Sequence, residues 1–266
     1  MSKINITNKI IKANSYGSYL ELGTGPINKL SNFANVKCKN KTSIDARRGE
    51  PEVDFNMCFE EFFSIKRKEL TIINGKKELP MWDFITRDCG YDYDSVKASM
   101  YLSLDFLSPN GTIICPFVDP IDSSWQRPLE HQAIIDPLKN SKFPKAEGKG
   151  MHWWCGHAWK VLVEMQYDKN IDVDIVIVKN NNNNKNEDGF SHGLGVVRKI
   201  DKQYKDLISA RNRSKKTYED KFIDFNFYEK NKCKIMNIIS YGKLCKDYVN
   251  FDDHMGNSER RMRAQH

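Results

Sequence analysis

The sequence predicts an α/β fold: a doubly wound, mostly parallel sheet with helices on both faces and a C-terminal helical extension. Three observations predict it. Strand-like segments alternate with helical ones along most of the chain, the pattern that lays parallel strands under crossover helices. The first apolar strand runs Tyr19-Leu20-Glu21-Leu22 into Gly23-Thr24-Gly25, an acid followed by a Gly-x-Gly turn. Twenty residues after Gly25, the short segment Thr42-Ser43-Ile44 ends in a second acid, Asp45.

Taken in order, residues 1–15 read as a lead-in with a short helix. Strand signals follow at Tyr16–Leu22, Thr42–Asp45, Val53–Met57, Trp82–Thr86, Thr112–Phe117, Val173–Val178 and Gly195–Lys199. Helical patterns lie over Cys58–Lys68, Ser95–Leu107 and His157–Tyr167. Leu107-Ser108-Pro109-Asn110-Gly111 is a turn signal between a helix and the next strand. Residues 120–156, broken by Pro120, Pro128, Pro137 and Pro144, read as a long loop of the kind that forms lids or binding segments. Asn180–Asn184 and the polar residues after it read as a low-complexity loop between the last two strands. Helical periodicity resumes over 201–250, and Asn257–His266 reads as a frayed end. The expected organisation is a domain over 1–200 with a basic helical extension over 201–266 packed on it.

With 39% hydrophobic and 11% aromatic residues, the 266-residue chain has material for a substantial core. A mean hydropathy of -0.64, and apolar runs far short of the roughly 18 to 20 residues a membrane span needs, predict no membrane partner. Met1 to Ser15 lacks a signal-peptide apolar core. The seven cysteines (38, 58, 89, 115, 155, 233 and 245) are scattered without a Cys-x-x-Cys pair, which fits reduced thiols. A cytoplasmic location is expected. Residues 201–266 hold 15 Lys/Arg and 10 Asp/Glu, five of the seven net positive charges. Nucleic acid is therefore a possible partner, but a solvated helical face is favoured because no aromatic or Arg-rich binding motif accompanies the charge.

The Gly-x-Gly turn admits two ligand classes. A dinucleotide site takes Gly-x-Gly-x-x-Gly, so that backbone amides approach and donate to a pyrophosphate. Here Asn28 stands at the third glycine position, and Pro26 removes one N–H from the turn. S-adenosylmethionine has no phosphate and carries a ribose, a sulfonium cation and an amino-acid end. Asp45 suits the ribose hydroxyls, Glu21 adds negative charge near the cationic portion, and Gly23 and Gly25 let the backbone approach. S-adenosyl-L-methionine is the expected cofactor.

At these residues the chain resembles the class I, adenosylmethionine-dependent methyltransferases, and more narrowly a small-molecule and sugar-associated group of methyltransferase-like proteins. The resemblance covers roughly residues 16–245 and implies a Rossmann-like sheet. Tyr19–Gly25 matches the group's first-strand motif. Asp54-Phe55-Asn56-Met57 followed by Glu60-Glu61-Phe62-Phe63 resembles its third strand and next helix, which implies that Asn56 lies near the adenine. Trp82-Asp83-Phe84-Ile85 resembles the fourth strand, with Asp88 where the family has an acid at that strand's end. Leu107–Cys115 matches the helix-turn-fifth-strand pattern, Gly156-His157-Ala158-Trp159-Lys160 a helix start, Gly193–Arg198 the late strand, and Thr217–Asn231 a C-terminal helical segment. Two departures stand out. Tyr91 occupies the place of a histidine in Asp-Gly-x-His after the fourth strand, and Pro116-Phe117 stands where the group has His-Asp, with Asp119 two residues later. The departures weigh against a metal, and none is expected.

Methyl transfer is an in-line displacement in which the protein chiefly holds nucleophile, methyl and sulfur in line, and a hydroxyl acceptor also needs its proton removed. The candidates for catalysis are Asp88, Tyr91 and His157; Asp88 is also a candidate cofactor contact, or a cap for the helix that follows. His152, Cys155 and His157 form His-x-x-Cys-x-His, but no fourth ligand is evident and the spacing fits no common structural zinc site. Trp153, Trp154 and Trp159 read as core or pocket wall. The resemblance implies transfer of a methyl group to a small polar acceptor, such as a sugar or glycan precursor. A catalytically degenerate cofactor-binding or interaction protein, and a nucleic-acid methyltransferase, are the alternatives.

Overall fold

A computed structural model describes residues 3–24, 32–47, 52–69, 71–73, 76–90, 92–120, 156–168, 170–179, 193–200 and 225–246. The elements are α1 (Lys3–Ala13), β1 (Ser18–Leu22), α2 (Asn32–Asn35), β2 (Asn40–Ile44), α3 (Phe59–Lys68), β3 (Thr71–Ile73), β4 (Lys76–Glu78), β5 (Trp82–Arg87), α4 (Tyr93–Asp105), β6 (Leu107–Pro116), α5 (Ala158–Tyr167), β7 (Val173–Lys179), β8 (Leu194–Lys199), α6 (Phe225–Ile235), β9 (Asn237–Ser240) and α7 (Tyr241–Leu244).

Seven strands form one sheet in the order β2-β1-β5-β6-β8-β7-β9. Every neighbouring pair is parallel except those made by β8, which runs against both β6 and β7. The fold is therefore the Rossmann-like, doubly wound, mostly parallel sheet that the alternating pattern predicts. The strands are buried on both faces because successive side chains point to opposite sides. Leu20, Leu22, Ile85 and Ile113 enter one core with Phe62 and Phe63 of α3, Met100 of α4 and Leu162 of α5. Tyr19, Phe84 and Ile114 enter the other, with Ile6, Ile10 and Ile11 of α1.

Three expected elements differ. Val53–Met57 pairs with β2 only through the isolated bridge Ile44–Phe55. The Asp54 carboxylate takes both the Ser43 N–H, at 2.8 Å, and the Ser43 hydroxyl, at 2.9 Å, so a side chain replaces a backbone ladder there. The Ser108–Gly111 turn is absorbed into β6. Trp82 pairs with Leu107 and Phe84 with Thr112, so the four residues bulge out of register, with Asn110 at φ 62. Asn237–Ser240, read as helical from its isoleucines, is a strand pairing with β7. The open edge of β7 supplies partners that local periodicity cannot reveal. The antiparallel pair β3–β4 was also missed, although Asn74-Gly75 between its strands is a strong hairpin signal in sequence.

The order of connections places a crevice. From β1 the chain moves outward to β2, then returns to the other side of β1 with β5 and continues outward to β6. The strand order reverses between β1 and β5, and open α/β sheets bind ligands outside the carboxyl ends of the strands at such a point. Those ends are Gly23, Asp45 and Asp88.

Gly23 is indispensable to this junction. Its φ is +81, and a Cβ placed on it would lie 2.3 Å from the Asp88 carbonyl oxygen. Gly23→Ala is expected to destabilise the protein by about 3 kcal/mol, from left-handed strain and a backbone clash together, and a urea denaturation midpoint measures it.

Candidate functional site

The carboxyl ends of β1, β2 and β5 are tied by backbone bonds. Gly23 N–H donates to Ile44 O at 2.8 Å, Thr24 N–H to the same oxygen at 3.3 Å, and Asp88 N–H to Leu22 O at 2.8 Å. These three bonds bring Glu21, Asp45 and Asp88, scattered in sequence, to the carboxyl ends of neighbouring strands. Beside them the Thr24 Oγ1 is buried and has no hydrogen-bond partner among the described residues. A buried, unsatisfied hydroxyl is costly unless something completes it.

Glu21 lies on the same face of β1 as Tyr19, two residues earlier, and is 1% exposed. Its Oε2 accepts from the Tyr19 hydroxyl at 2.6 Å, and the same hydroxyl sits 3.0 Å from Thr86 Oγ1 on β5. Burial pushes the Glu21 carboxyl above its ordinary pKa, partly offset by Lys3 and by the Tyr19 bond.

Asp88 does not cap α4. That role belongs to Asp92, whose carboxylate accepts from Ser95 N–H at 2.9 Å. Asp88 is instead paired with Lys3, whose ammonium donates to Oδ2 at 2.6 Å. Burial disfavours the Lys3 ammonium, but Asp88 and Glu21 outweigh it and hold its pKa above the ordinary lysine value. Sequence reasoning missed Lys3, treating the first residues as a lead-in. The signal was present: Lys3, Ile6, Thr7, Ile10 and Ile11 are the buried residues of α1, and they recur at the spacing of one helical face. A lysine on that stripe must find a counter-charge.

Asp45 is held by Arg47. The Arg47 N–H and Nε donate to Oδ1 at 2.9 and 3.0 Å, and Nη2 donates to Oδ2 at 2.9 Å. Asp45 is buried, whereas the Arg47 side chain is 58% exposed. The fork fixes the carboxylate's direction while remaining open to water. Asn56 closes the same loop, its Nδ2 donating to Asp45 O at 3.1 Å and Arg47 O at 2.5 Å. Arg87, at the end of β5, is wholly buried; it donates to Ser99 Oγ at 3.0 Å and to Gly90 O, anchoring the turn after Asp88 to α4.

His157 immediately precedes α5 and makes no side-chain cap. Its Nδ1 is buried without a hydrogen-bond partner among the described residues. Burial and the Lys160 charge lower its pKa, and Asp92 partly opposes them. At the carboxyl end of β6, Phe117 is held at φ 60, a strained conformation for a bulky residue. Asp119 follows it and pairs with Lys232 of α6 at 2.8 Å and Lys179 of β7 at 3.5 Å. No group of three or more His, Cys, Asp or Glu able to hold a metal occurs among the described residues. Gly25, Pro26, Asn28, Tyr91, His152 and Cys155 lie outside the described residues, as do Trp153, Trp154, the Asn-rich loop and most of the 120–156 segment.

No family model matches the sequence, and no curated protein matches it. Among solved structures, the chain is similar to the O-methyltransferase from Bacillus cereus in complex with SAH, with 12% identity, coverage of 75% of this chain and 82% of that one, and a TM-score of 0.41. It is similar to the O-methyltransferase TomG from Streptomyces achromogenes, in complex with SAM, at 8% identity, 76% and 82% coverage and a TM-score of 0.43. The N-methyltransferase NodS from Bradyrhizobium japonicum WM9 is similar at 11% identity, 74% and 93% coverage and a TM-score of 0.37. The fold assignment rests on the strand order and register given above. Among the described residues, no helix is long and apolar enough to cross a membrane.

The depressed pKa of His157 has a consequence for stability. The fold favours the neutral imidazole, so the unfolded chain takes up the proton first. The contribution of His157 is complete above 6.5, the ordinary histidine value, and is lost as pH falls through the lowered folded value. His157→Gln is expected to flatten the decline in stability as pH falls from 6.5 to the lowered folded value, measured by urea denaturation at stepped pH.

Proposed function

We propose that the chain binds S-adenosyl-L-methionine across the carboxyl ends of β1, β2 and β5 and transfers its methyl group to a small polar acceptor. The observation that carries this is the convergence of Glu21, Asp45 and Asp88 on the Gly23 turn at the reversal of strand order. The donor set fits the cofactor's chemistry. Asp45 presents a buried carboxylate for two ribose hydroxyls; its Oδ1 stays tied to the Arg47 N–H, and the ribose hydroxyls would take the place of the exposed Arg47 guanidinium. Glu21 and Asp88 supply negative charge for the sulfonium and amino group. The Thr24 hydroxyl, without a hydrogen-bond partner among the described residues, offers a hydrogen bond at the turn. Asn56 acts through the loop, holding the Asp45 and Arg47 carbonyls, and so supports the adenosine side of the crevice.

When bound, adenosylmethionine supplies a methyl on a positively charged sulfur. The chain's part is to hold the acceptor in line and, for a hydroxyl acceptor, to take its proton. Between the candidates, His157 suits the base role better than Asp88. Its imidazole is neutral near pH 7 and its Nδ1 is unclaimed among the described residues, whereas the Asp88 carboxylate is engaged by Lys3. Tyr91 keeps a role in orienting the acceptor. A sugar or glycan precursor is the acceptor class that the sequence resemblance favours. The second reading, a cofactor-binding protein without catalysis, is favoured by the same Lys3–Asp88 pair, which ties up an acid at the crevice.

Isothermal titration of the full chain with adenosylmethionine tests the cofactor. Asp45→Ala is expected to lose about 2 kcal/mol, or some thirtyfold in affinity, as two charge-assisted hydrogen bonds disappear. Unchanged affinity in that variant would remove Asp45 from the site, and no binding at millimolar cofactor would end the proposal. Binding without methylated product across a panel of sugar acceptors would decide for the non-catalytic protein.

A further inference from the structure

Lys3 is a lysine with 4% of its surface exposed. Its ammonium lies 2.6 Å from Asp88 Oδ2, and Glu21 acts on it electrostatically. The buried stripe Ile6, Thr7, Ile10 and Ile11 seats α1 against the sheet and holds Lys3 beside Asp88. Lys3 and Asp88 therefore form an ion pair beside the buried Glu21 carboxyl. The set stands at the junction of β1 and β5, where the proposed cofactor places its cationic portion.

The cofactor and its product differ there by one charge. Adenosylmethionine carries a sulfonium; after the methyl leaves, adenosylhomocysteine has a neutral thioether and nearly the same shape. Hydrogen bonds to ribose and adenine cannot tell the two apart, but the local charge can. Two unneutralised carboxylates would hold the cation much more tightly than the thioether. One ammonium among them reduces that difference.

We infer that Lys3 is a specificity-determining residue that sets the preference of this crevice between the sulfonium cofactor and its neutral product, a proposal that rests on the cofactor reading above. Lys3 offsets one carboxylate's worth of charge and so limits discrimination in favour of the cation. At separations of several ångströms and the effective dielectric of a partly buried site, one unit charge is worth about tenfold in relative affinity. Lys41, which also acts on Glu21, and the buried Arg87 are common to every variant below and cancel in the comparison.

The test is the ratio of adenosylmethionine to adenosylhomocysteine affinity, from titration calorimetry on the full chain, with circular dichroism to verify folding. Lys3→Met leaves the Asp88 carboxylate unneutralised by Lys3 and is expected to raise the ratio about tenfold, whereas Asp88→Asn leaves the Lys3 ammonium without that counter-charge and is expected to lower it by a similar factor. The double variant Lys3→Met/Asp88→Asn removes one charge of each sign and is expected to return the ratio near that of the parent chain. Should Lys3→Met fail to fold, Asp88→Asn and the double variant still decide the matter. A ratio unmoved in the folded single variants overturns the inference and leaves Lys3 as a counter-ion that only stabilises the fold, with the cofactor reading intact. If neither ligand binds the parent chain, the cofactor reading falls and the Lys3 proposal with it.

Discussion

The close approach of the Gly23 backbone to Asp88 is the constraint on which the arrangement of the crevice depends. Three backbone hydrogen bonds meet within a few residues there, from Gly23 and Thr24 to Ile44 and from Asp88 to Leu22. They fix the ends of three strands against one another, and no side chain fits between them. A Cβ at position 23 would enter the Asp88 carbonyl. Because the strand ends are locked, the side chains that flank them are locked as well. Glu21 is fixed by alternation along β1, Asp45 by its place one residue beyond β2, and Asp88 by its place one residue beyond β5.

That geometry creates an electrostatic problem. Glu21 is buried and Asp88 largely so, close enough for each to raise the cost of the other's charge. Uncompensated charges in such a position cost several kcal/mol. The compensation comes from outside the sheet, through Lys3 on α1, and from within it, through the Tyr19 hydroxyl. The N-terminal helix is thus joined to the strand ends. Its isoleucines bury one face of the sheet, and its first described residue neutralises the strand ends. Beyond the carboxyl end of β6 the same device recurs on a smaller scale. Asp119, just past the strained Phe117, is held by Lys179 and Lys232, which draws α6 toward the sheet.

The elements whose identity depends on local pattern were legible. Alternating apolar residues buried on two faces, as in Tyr19-Leu20 and Phe84-Ile85, can be recognised because side-chain direction follows from the backbone alone. Asn237–Ser240 was not legible in this way. Its isoleucines satisfy a helical as well as an extended spacing, and only the exposed edge of β7 decides between them. Val53–Met57 failed in the opposite direction, since the Asp54 side chain took the Ser43 donors that a strand ladder would have used.

For the proposed site, the sequence by itself singled out the acids Glu21, Asp45 and Asp88, and the glycine beside which the structure brings them together. Their types and the Gly-x-Gly spacing are local properties, so no tertiary information was needed. Only the tertiary structure decided what each acid touches. Lys3 is 85 positions from Asp88, and the helix turn that brings it there is set by packing on the sheet. Arg47 turns back on Asp45, and Asp92 rather than Asp88 caps α4. Partnership between charges depends on distance and burial, and those quantities exist only once the chain has folded.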